Sequence, residues 1–274
     1  MSNNNIGKVV KILKNSKNLI IAAGAGIGVD SGLPDFRSKE GFWKAYPPYK
    51  KLGLSFYEAA NPAIFIDNPK FGWGFYGHRL NLYRKTKPHK GFYYLQEWIE
   101  KFSLNYFIIT SNVDGQFQKS GFNDEHIYEV HGSIHYLQCL TPCCNKIWKN
   151  NLEFNINEST MCSNFLPTCP YCGGYARPNI LMFGDVGWIS GRSDMQENYF
   201  YNWLNNLLNN TIILEIGAGT AVPTIRHFTS KLANLTNGII VRINPNEYTI
   251  EEPNISLPLR ALEALELINK GIVV

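Results

Sequence analysis

The stretch Leu19-Ile-Ile-Ala-Ala-Gly-Ala-Gly-Ile-Gly-Val-Asp-Ser-Gly-Leu-Pro-Asp-Phe-Arg37 joins an apolar run to a glycine-rich turn. Residues 19–23 have the length and branching of a buried parallel strand. Glycines directly after such a strand let the backbone turn sharply and approach a phosphate, and the helix that follows points free N–H groups at that anion. The stretch therefore predicts a site for a nucleotide, in particular a dinucleotide.

The glycine spacing alone is equally typical of a plain tight corner between a strand and a helix. It reads G-x-G-x-G, with Val29 where the dinucleotide fingerprint has its third glycine. The residues that follow favour the nucleotide interpretation, because Pro34 is expected to end the short helix and Phe36 and Arg37 follow in a loop. An arginine can pair with a phosphate through two hydrogen bonds or stack on a ring.

With this tail, the segment closely resembles the signature of the sirtuins, the NAD-dependent protein deacylases, which reads GAGxSxxSGIPDFR. Gly28 stands where the family has a serine. The resemblance implies NAD as the cofactor. In this segment it assigns NAD contacts to Gly24, Ala25, Gly26, Asp35, Phe36 and Arg37.

Strands and helices alternate along the rest of the chain, which favours an α/β fold with a doubly wound parallel, Rossmann-like sheet. Ligands of such sheets bind at the carboxyl ends of the strands. After the first strand, further strands are predicted at 106–110, 127–130, 212–216 and 238–243, and helices at 6–16, 70–86, 90–102, 224–235 and 257–270. The aromatic, proline-containing stretch 38–69 is too long for a connector and predicts a mobile loop and short helices over a ligand.

The predicted domains follow from this order. The Rossmann-like NAD-binding domain comprises 1–37, 103–135 and 180–274. A cofactor loop and helical module covers 38–102, and a smaller zinc-binding module covers 136–179.

Polar residues follow the predicted strand 106–110 directly, where they could also simply cap a helix. The sirtuin counterpart is TQNID, which implies that Asn112 and Asp114 position the nicotinamide ribose and a water molecule. Ser111 replaces the family's glutamine at the ribose, and Phe117 replaces the histidine of the next motif.

His131 lies at the end of the next predicted strand, in Glu-Val-His-Gly-Ser. A lone histidine there is often a structural hydrogen-bonding group, but imidazole titrates near neutrality and suits general-base catalysis. The sirtuin pattern implies that His131 is the base that deprotonates a ribose hydroxyl. We therefore predict His131, Asn112 and Asp114 as catalytic residues.

Six cysteines lie between residues 139 and 172, and without a secretion signal a disulfide framework is not expected. Cys169-Pro-Tyr-Cys172 has the spacing of a metal knuckle. Its partner half offers Cys139 with either Cys143 or Cys144, and we favour Cys144 because the residues after it resemble the family's second ligand. A four-thiolate zinc ion leaves no open position for substrate, so the predicted zinc is structural.

Later motifs also resemble the family, the two near the carboxyl end more loosely. The run from Ala176 to Asp185 resembles RPDVVxFGE, which implies that the backbone at Phe183 and Gly184 binds a substrate peptide by strand addition, although an ordinary edge strand has the same composition. Near the carboxyl end of the chain, the resemblance implies NAD contacts at Gly217, Ala218, Gly219 and Asn244, where Ala218 and Gly219 replace hydroxyl residues of the family's GTS.

Tyr76 and Arg79 lie at i and i+3 of a predicted helix and so share one face. An amphipathic helix with a core tyrosine and a solvated arginine gives the same pattern. In its Trp73-Gly-Phe context, however, the motif resembles the Y-x-x-R of the desuccinylase and demalonylase branch of the sirtuins. The resemblance implies that Arg79 pairs with an acidic acyl group.

The resemblance also implies the reaction: attack of an acyl-lysine carbonyl on the nicotinamide ribose, loss of nicotinamide, and transfer of the acyl group to ADP-ribose. The expected partner is therefore an acyl-lysine protein or peptide. Two other classes stay open. One is an NAD glycohydrolase or ADP-ribosyltransferase that uses the same site. The other is a non-catalytic NAD sensor, against which the retention of His131 and Asn112 argues.

Composition excludes several further classes. The chain has 274 residues, 45% of them hydrophobic and 18% charged, enough for one large core with a small satellite domain. A net charge of +4 does not imply nucleic-acid binding. No apolar run approaches a membrane span, and no signal peptide is evident. We expect a soluble, cytoplasmic protein with no nucleic-acid or membrane partner, whose oligomeric state the sequence leaves open.

Overall fold

The structure is a computed structural model that describes residues 2–34, 55–157, 159–207 and 209–273. Its largest element is a six-stranded parallel sheet in the order β11-β10-β9-β1-β2-β3. The strands are β1 (Asn18–Ala23), β2 (Asn105–Thr110), β3 (Ile127–Glu129), β9 (Thr211–Ile216), β10 (Ile239–Ile243) and β11 (Ile255–Leu257). The chain runs outward from the β1–β9 boundary in both directions, so the predicted doubly wound sheet is confirmed.

Helices cover both faces of this sheet, because its central strands are apolar on both sides. One face packs against α1 (Ser2–Asn15), α6 (Lys90–Phe102) and α10 (Ala261–Val273), and the other against α8 (Gly191–Leu204) and α9 (Thr224–Thr236). The sequence assigned residues 90–102 to the helical module. Phe92, Leu95 and Trp98 of α6 nevertheless lie in the core of the large sheet.

A second, smaller unit is built around α5 (Pro69–Lys85) and a three-stranded antiparallel sheet in the order β5-β4-β8. Its strands are β4 (Gly132–Cys139), β5 (Ile147–Lys149) and β8 (Ala176–Ile180), and a hairpin of β6 (Ile156–Asn157) and β7 (Cys162–Ser163) packs on α5. Gly74 permits this packing, since a Cβ atom there would lie 1.7 Å from the Met161 carbonyl oxygen. The Trp73 indole donates to the Ala176 carbonyl at 3.0 Å, which ties α5 to β8.

The remaining helices are short: α2 (Gly26–Val29), α3 (Phe56–Ala59), α4 (Ala63–Asp67), α7 (Gln116–Ser120) and a 3-10 turn at Asp124–His126. α3 and α4 match the short helices predicted within 38–69. The loop part of that prediction, from residue 38 to 54, lies outside the described residues. Within the described ranges, no helix has both the length and the apolar character needed to cross a bilayer.

Candidate functional site

The glycine loop after β1 packs backbone to backbone against the loop after β9. The Gly26 N–H donates to the Gly217 carbonyl at 3.0 Å, and a Cβ atom on Gly24 would lie 2.6 Å from the same oxygen. Gly217 has φ +63°, and a Cβ there would lie 2.4 Å from the Ile27 nitrogen. A Cβ atom on Gly26 would lie 2.6 Å from the Gly217 Cα, so close packing of the two loops requires glycine at 24, 26 and 217. The two loops meet where the strand order of the sheet reverses.

The loop after β2 is held against the glycine loop by side chains. The Thr110 hydroxyl donates to the Ala23 carbonyl at 3.1 Å and accepts from the Asn112 N–H at 3.0 Å. The Asn112 side-chain amide donates to the Gly24 carbonyl at 3.0 Å. Ser111 and Asn112 are both buried. These contacts place the predicted Asn112 beside the glycine loop and give it a structural role there.

Asp114 occupies the end of the same loop. One carboxylate oxygen accepts from the Gln116 N–H at 2.9 Å. The pKa of Asp114 is raised to about 6, mainly by burial; the hydrogen bond from Gln116 and the charge of Arg79 lower it, and the nearby Glu129 carboxylate raises it. A carboxyl that titrates this close to neutrality is typical of functional sites.

His131 follows β3 at the same edge of the sheet. Its carbonyl accepts from the Leu181 N–H at 2.9 Å, which joins it to the segment after β8. Its Nε2 lies 3.5 Å from the Thr224 hydroxyl oxygen at the start of α9.

Two clefts open along this edge and share Ala25 and Val222 as lining residues. The first contains the predicted catalytic residues Asn112, Asp114 and His131. The second is lined by the loops after β1, β9 and β10, including Gly26, Gly217, Gly219 and Asn244. In the described part of the chain, the two clefts therefore adjoin at the switch point of the sheet, the place where sheets of this kind bind dinucleotides.

The second cleft has a polar network that the sequence did not predict. The Glu247 carboxylate accepts from the Thr220 N–H and hydroxyl, both at 2.7 Å, and Arg226 bonds to both Glu247 and the Ala218 carbonyl. The Asn244 amide also donates to the Ala218 carbonyl, at 3.1 Å. Ion pairing between Arg226 and Glu247 thus shapes the loop in which the family's hydroxyl residues are missing.

Tyr76 and Arg79 both line the first cleft, with His131. Arg79 is buried, donates to the Tyr83 hydroxyl from Nε at 3.0 Å and from Nη2 at 2.6 Å, and lies among aromatic rings. Burial raises the pKa of the Tyr76 phenol, so it stays protonated. Because Arg79 is buried, the alternative of an amphipathic helix with a solvated arginine is wrong.

The predicted substrate edge, Phe183 and Gly184, lies beyond the end of β8. Phe183 lines the first cleft, and its N–H donates to the Ala60 carbonyl at 2.9 Å. Gly184 has φ +67°, a left-handed conformation that favours glycine. The predicted NAD contacts Asp35, Phe36 and Arg37 lie outside the described residues.

Four cysteine sulfurs converge at the end of β4, and they correct one predicted ligand. The cluster is Cys139, Cys143, Cys169 and Cys172, with all four Sγ atoms within 4.8 Å of one another. The Cys139–Cys172 and Cys143–Cys169 separations are 3.6 and 3.7 Å. Sulfurs around a tetrahedral zinc ion lie roughly 3.8 Å apart, so this set fits zinc. Among the described residues, Cys144 is not part of this cluster, although its sulfur lies 3.7 Å from that of Cys143.

Comparison with known proteins agrees with this geometry. The profile of the Sir2 family matches residues 24–222, which include the glycine loop, the predicted catalytic residues and all the cysteines. The chain belongs to the Sir2 family.

Relatives and solved structures of this family extend the match. The chain is 36% identical over 180 residues to an NAD-dependent protein deacylase of Pyrococcus abyssi, an alignment that spans 66% of each protein. It is 30% identical over 259 residues to an NAD-dependent protein deacetylase of Saccharolobus solfataricus, which covers 92% of this chain and 94% of that one. The crystal structure of a Sir2 homologue with NAD superposes with a TM-score of 0.70 at 26% identity, covering 96% of this chain and 93% of the other.

Proposed function

We propose that this Sir2-family chain is an NAD-dependent protein-lysine deacylase that transfers an acyl group from lysine to ADP-ribose and releases nicotinamide. One observation carries the proposal: His131, Asn112 and Asp114 line one cleft, continuous with the glycine loops at the switch point. The deacylase names of the relatives agree with it.

NAD would lie across the two adjoining clefts, held by the backbone of Gly24–Gly26 and Gly217–Gly219. When bound, it supplies the ribose carbon whose bond to nicotinamide is broken. His131 takes a proton from a ribose hydroxyl, since imidazole titrates in the working range of a general base. Asn112 and Asp114 orient the ribose and a water molecule, and Ile180 and Met182 form apolar walls of the same cleft.

The acyl group that this cleft accepts is proposed on the position of Arg79. A succinyl or malonyl carboxylate that enters beside Tyr76 would meet the buried guanidinium among aromatic rings. We propose on this ground that acidic acyl groups are preferred over acetyl.

The substrate peptide would run along the backbone at Phe183 and Gly184. Four thiolates, from Cys139, Cys143, Cys169 and Cys172, would hold a zinc ion that stabilises the small unit and takes no part in the reaction. A cytoplasmic location remains a prediction from the sequence.

The proposal is tested by incubating the protein with NAD, with and without acetyl-lysine and succinyl-lysine peptides, and following nicotinamide. We expect release that depends on peptide and that is lost in His131→Ala, with the circular dichroism of the variant unchanged. Release without peptide would indicate an NAD glycohydrolase, and no release would indicate an NAD sensor. Full activity of His131→Ala would refute the assignment of His131 as the general base.

A further inference from the structure

His89 is a buried histidine that the proposed reaction does not use. It is the residue before α6, and its imidazole lies between that helix and α2, the short helix that begins in the glycine loop. The imidazole Nε2 lies 2.8 Å from the Ile27 carbonyl oxygen in α2. The His89 backbone N–H also donates to the Ser31 hydroxyl, at 3.0 Å.

Hydrogen-bond chemistry assigns one form to this imidazole. A carbonyl oxygen only accepts, so Nε2 carries a proton and donates to Ile27. The Gly91 N–H donates to Nδ1 at 3.0 Å, so Nδ1 carries none. Both ring nitrogens are thus used by a neutral imidazole, and burial lowers the pKa of His89, which agrees with that form.

The surroundings leave room for the ring only because residue 91 is glycine. A Cβ atom on Gly91 would lie 2.6 Å from the His89 Cε1 atom. The imidazole also packs on Phe92, and Phe92 packs on Phe117, with ring centroids 4.9 and 5.1 Å apart. Since Phe117 belongs to α7, which follows the loop of Asn112 and Asp114, this aromatic row links the two predicted NAD-binding loops.

A helix of four residues such as α2 needs tertiary contacts to keep its position. Glycine packing holds its amino end against Gly217, and Asp30, just after its carboxyl end, accepts from the Leu262 N–H of α10 at 2.9 Å. Between the two ends of α2, the His89 imidazole holds the helix by its hydrogen bond to the Ile27 carbonyl.

We infer that His89 is a positioning residue that holds α2 against α6 and thereby keeps the glycine loop in the shape that binds the dinucleotide. The inference rests on the proposed function, because the loop is taken to bind NAD. His89 itself touches no reacting atom.

Two substitutions distinguish the role of the hydrogen bond to the Ile27 carbonyl from that of the hydrogen bond to the Gly91 N–H. In His89→Asn, the short side chain can still accept from the Gly91 N–H and is a better helix cap than histidine, but it cannot reach Ile27. In His89→Gln, the longer amide can donate to the Ile27 carbonyl. A merely structural role at the helix end predicts that asparagine is harmless, whereas the positioning role predicts that glutamine is the better replacement.

The measurements are the affinity for ADP-ribose by calorimetry, kcat and KM for NAD in peptide deacylation, and the thermal midpoint. For His89→Asn we expect roughly three- to tenfold weaker ADP-ribose binding and a matching rise in the KM for NAD, with kcat little changed. The thermal midpoint checks that both variants are folded at the temperature of the assay. His89→Gln should recover most of the affinity. Wild-type affinity in His89→Asn, or a loss in His89→Gln as large as in His89→Asn, would overturn the inference. If the wild-type chain binds no ADP-ribose, the proposed function itself fails, and the inference with it.

Discussion

At Asp114, the fold holds a carboxyl group where ionisation costs free energy. Below its ordinary pKa of 3.8 the group is neutral in both the folded and unfolded states. Between 3.8 and about 6 it ionises in the unfolded state only, so the folded state loses stability as the pH rises to its folded pKa of about 6. The cost above that pH is on the order of 2–3 kcal/mol. Asp114→Asn keeps an acceptor for the Gln116 N–H and cannot ionise.

We therefore expect Asp114→Asn to have a higher free energy of unfolding than wild type at pH 8, by an amount that shrinks as the pH falls towards 4, while nicotinamide release is reduced. Urea denaturation at a series of pH values measures the difference. A difference that is constant across pH would show that the carboxyl does not titrate as the structure indicates.

Arg79 is the residue on which the proposed preference for acidic acyl groups depends. Arg79→Met should lower kcat/KM for a succinyl-lysine peptide by about 10- to 100-fold, the loss of a charged hydrogen bond worth roughly 1.5–3 kcal/mol, and should change deacetylation much less. Arg84→Met is a matched control on the same helix, because Arg84 bonds to backbone carbonyls of Leu152 and Asn150 outside the first cleft. Unchanged desuccinylation in Arg79→Met would remove Arg79 from the acyl site.

Two adjacent cysteines give a matched pair for the metal centre. Cys143→Ser should lose most of the bound zinc and lower the thermal midpoint, because Cys143 is one of the four clustered thiols. Cys144→Ser should retain about one zinc per chain. Elemental analysis of the purified variants decides between them, and the opposite result would restore Cys144 as the ligand. The spacing of the cysteines in the sequence could not decide between Cys143 and Cys144, because it does not show which of two adjacent side chains points towards the other three sulfurs.

Among the structural elements, the two adjoining clefts depend on two loops whose backbones touch. Gly217→Ala would force an alanine into a left-handed conformation and place its Cβ 2.4 Å from the Ile27 nitrogen. We expect a loss of more than about 2 kcal/mol in stability and weaker NAD binding. Gly7→Ala in α1 is the control, because a Cβ there meets nothing within 4 Å and alanine favours helix. Equal thermal midpoints for the two variants would contradict the role of glycine in this packing.

The large sheet could be predicted from sequence because its strands are short apolar runs that alternate with helices. β1, β2, β9 and β10 lie within about a residue of their predicted positions. The rule that ligands bind at the carboxyl ends of strands gave the place of the site, and the resemblance to the sirtuins gave the predicted catalytic residues. The antiparallel pairing of β4 with β8 was harder to predict from the sequence. β4 follows His131 directly, β8 contains Pro178, and their register shifts between Ser133 and Leu137. Partners some 40 residues apart leave no local pattern.

Across the molecule, the small unit and the large sheet meet at one edge, and that meeting makes the first cleft. Arg79 comes from α5, His131 from the end of β3, and Met182 from the segment after β8. Their sequence positions alone do not bring them together. The sequence therefore supplied candidate residues for the chemistry, whereas their common cleft, the position of His89 and the Arg226–Glu247 pair required the packed structure.

The identity of the product tests the proposed deacylation most directly. The protein is incubated with NAD and an acyl-lysine peptide, and the products are quantified by mass spectrometry. We expect equal amounts of nicotinamide, deacylated peptide and an ADP-ribose that carries the acyl group. Free ADP-ribose formed at the same rate with or without peptide, and with the peptide still acylated, would contradict the deacylase function.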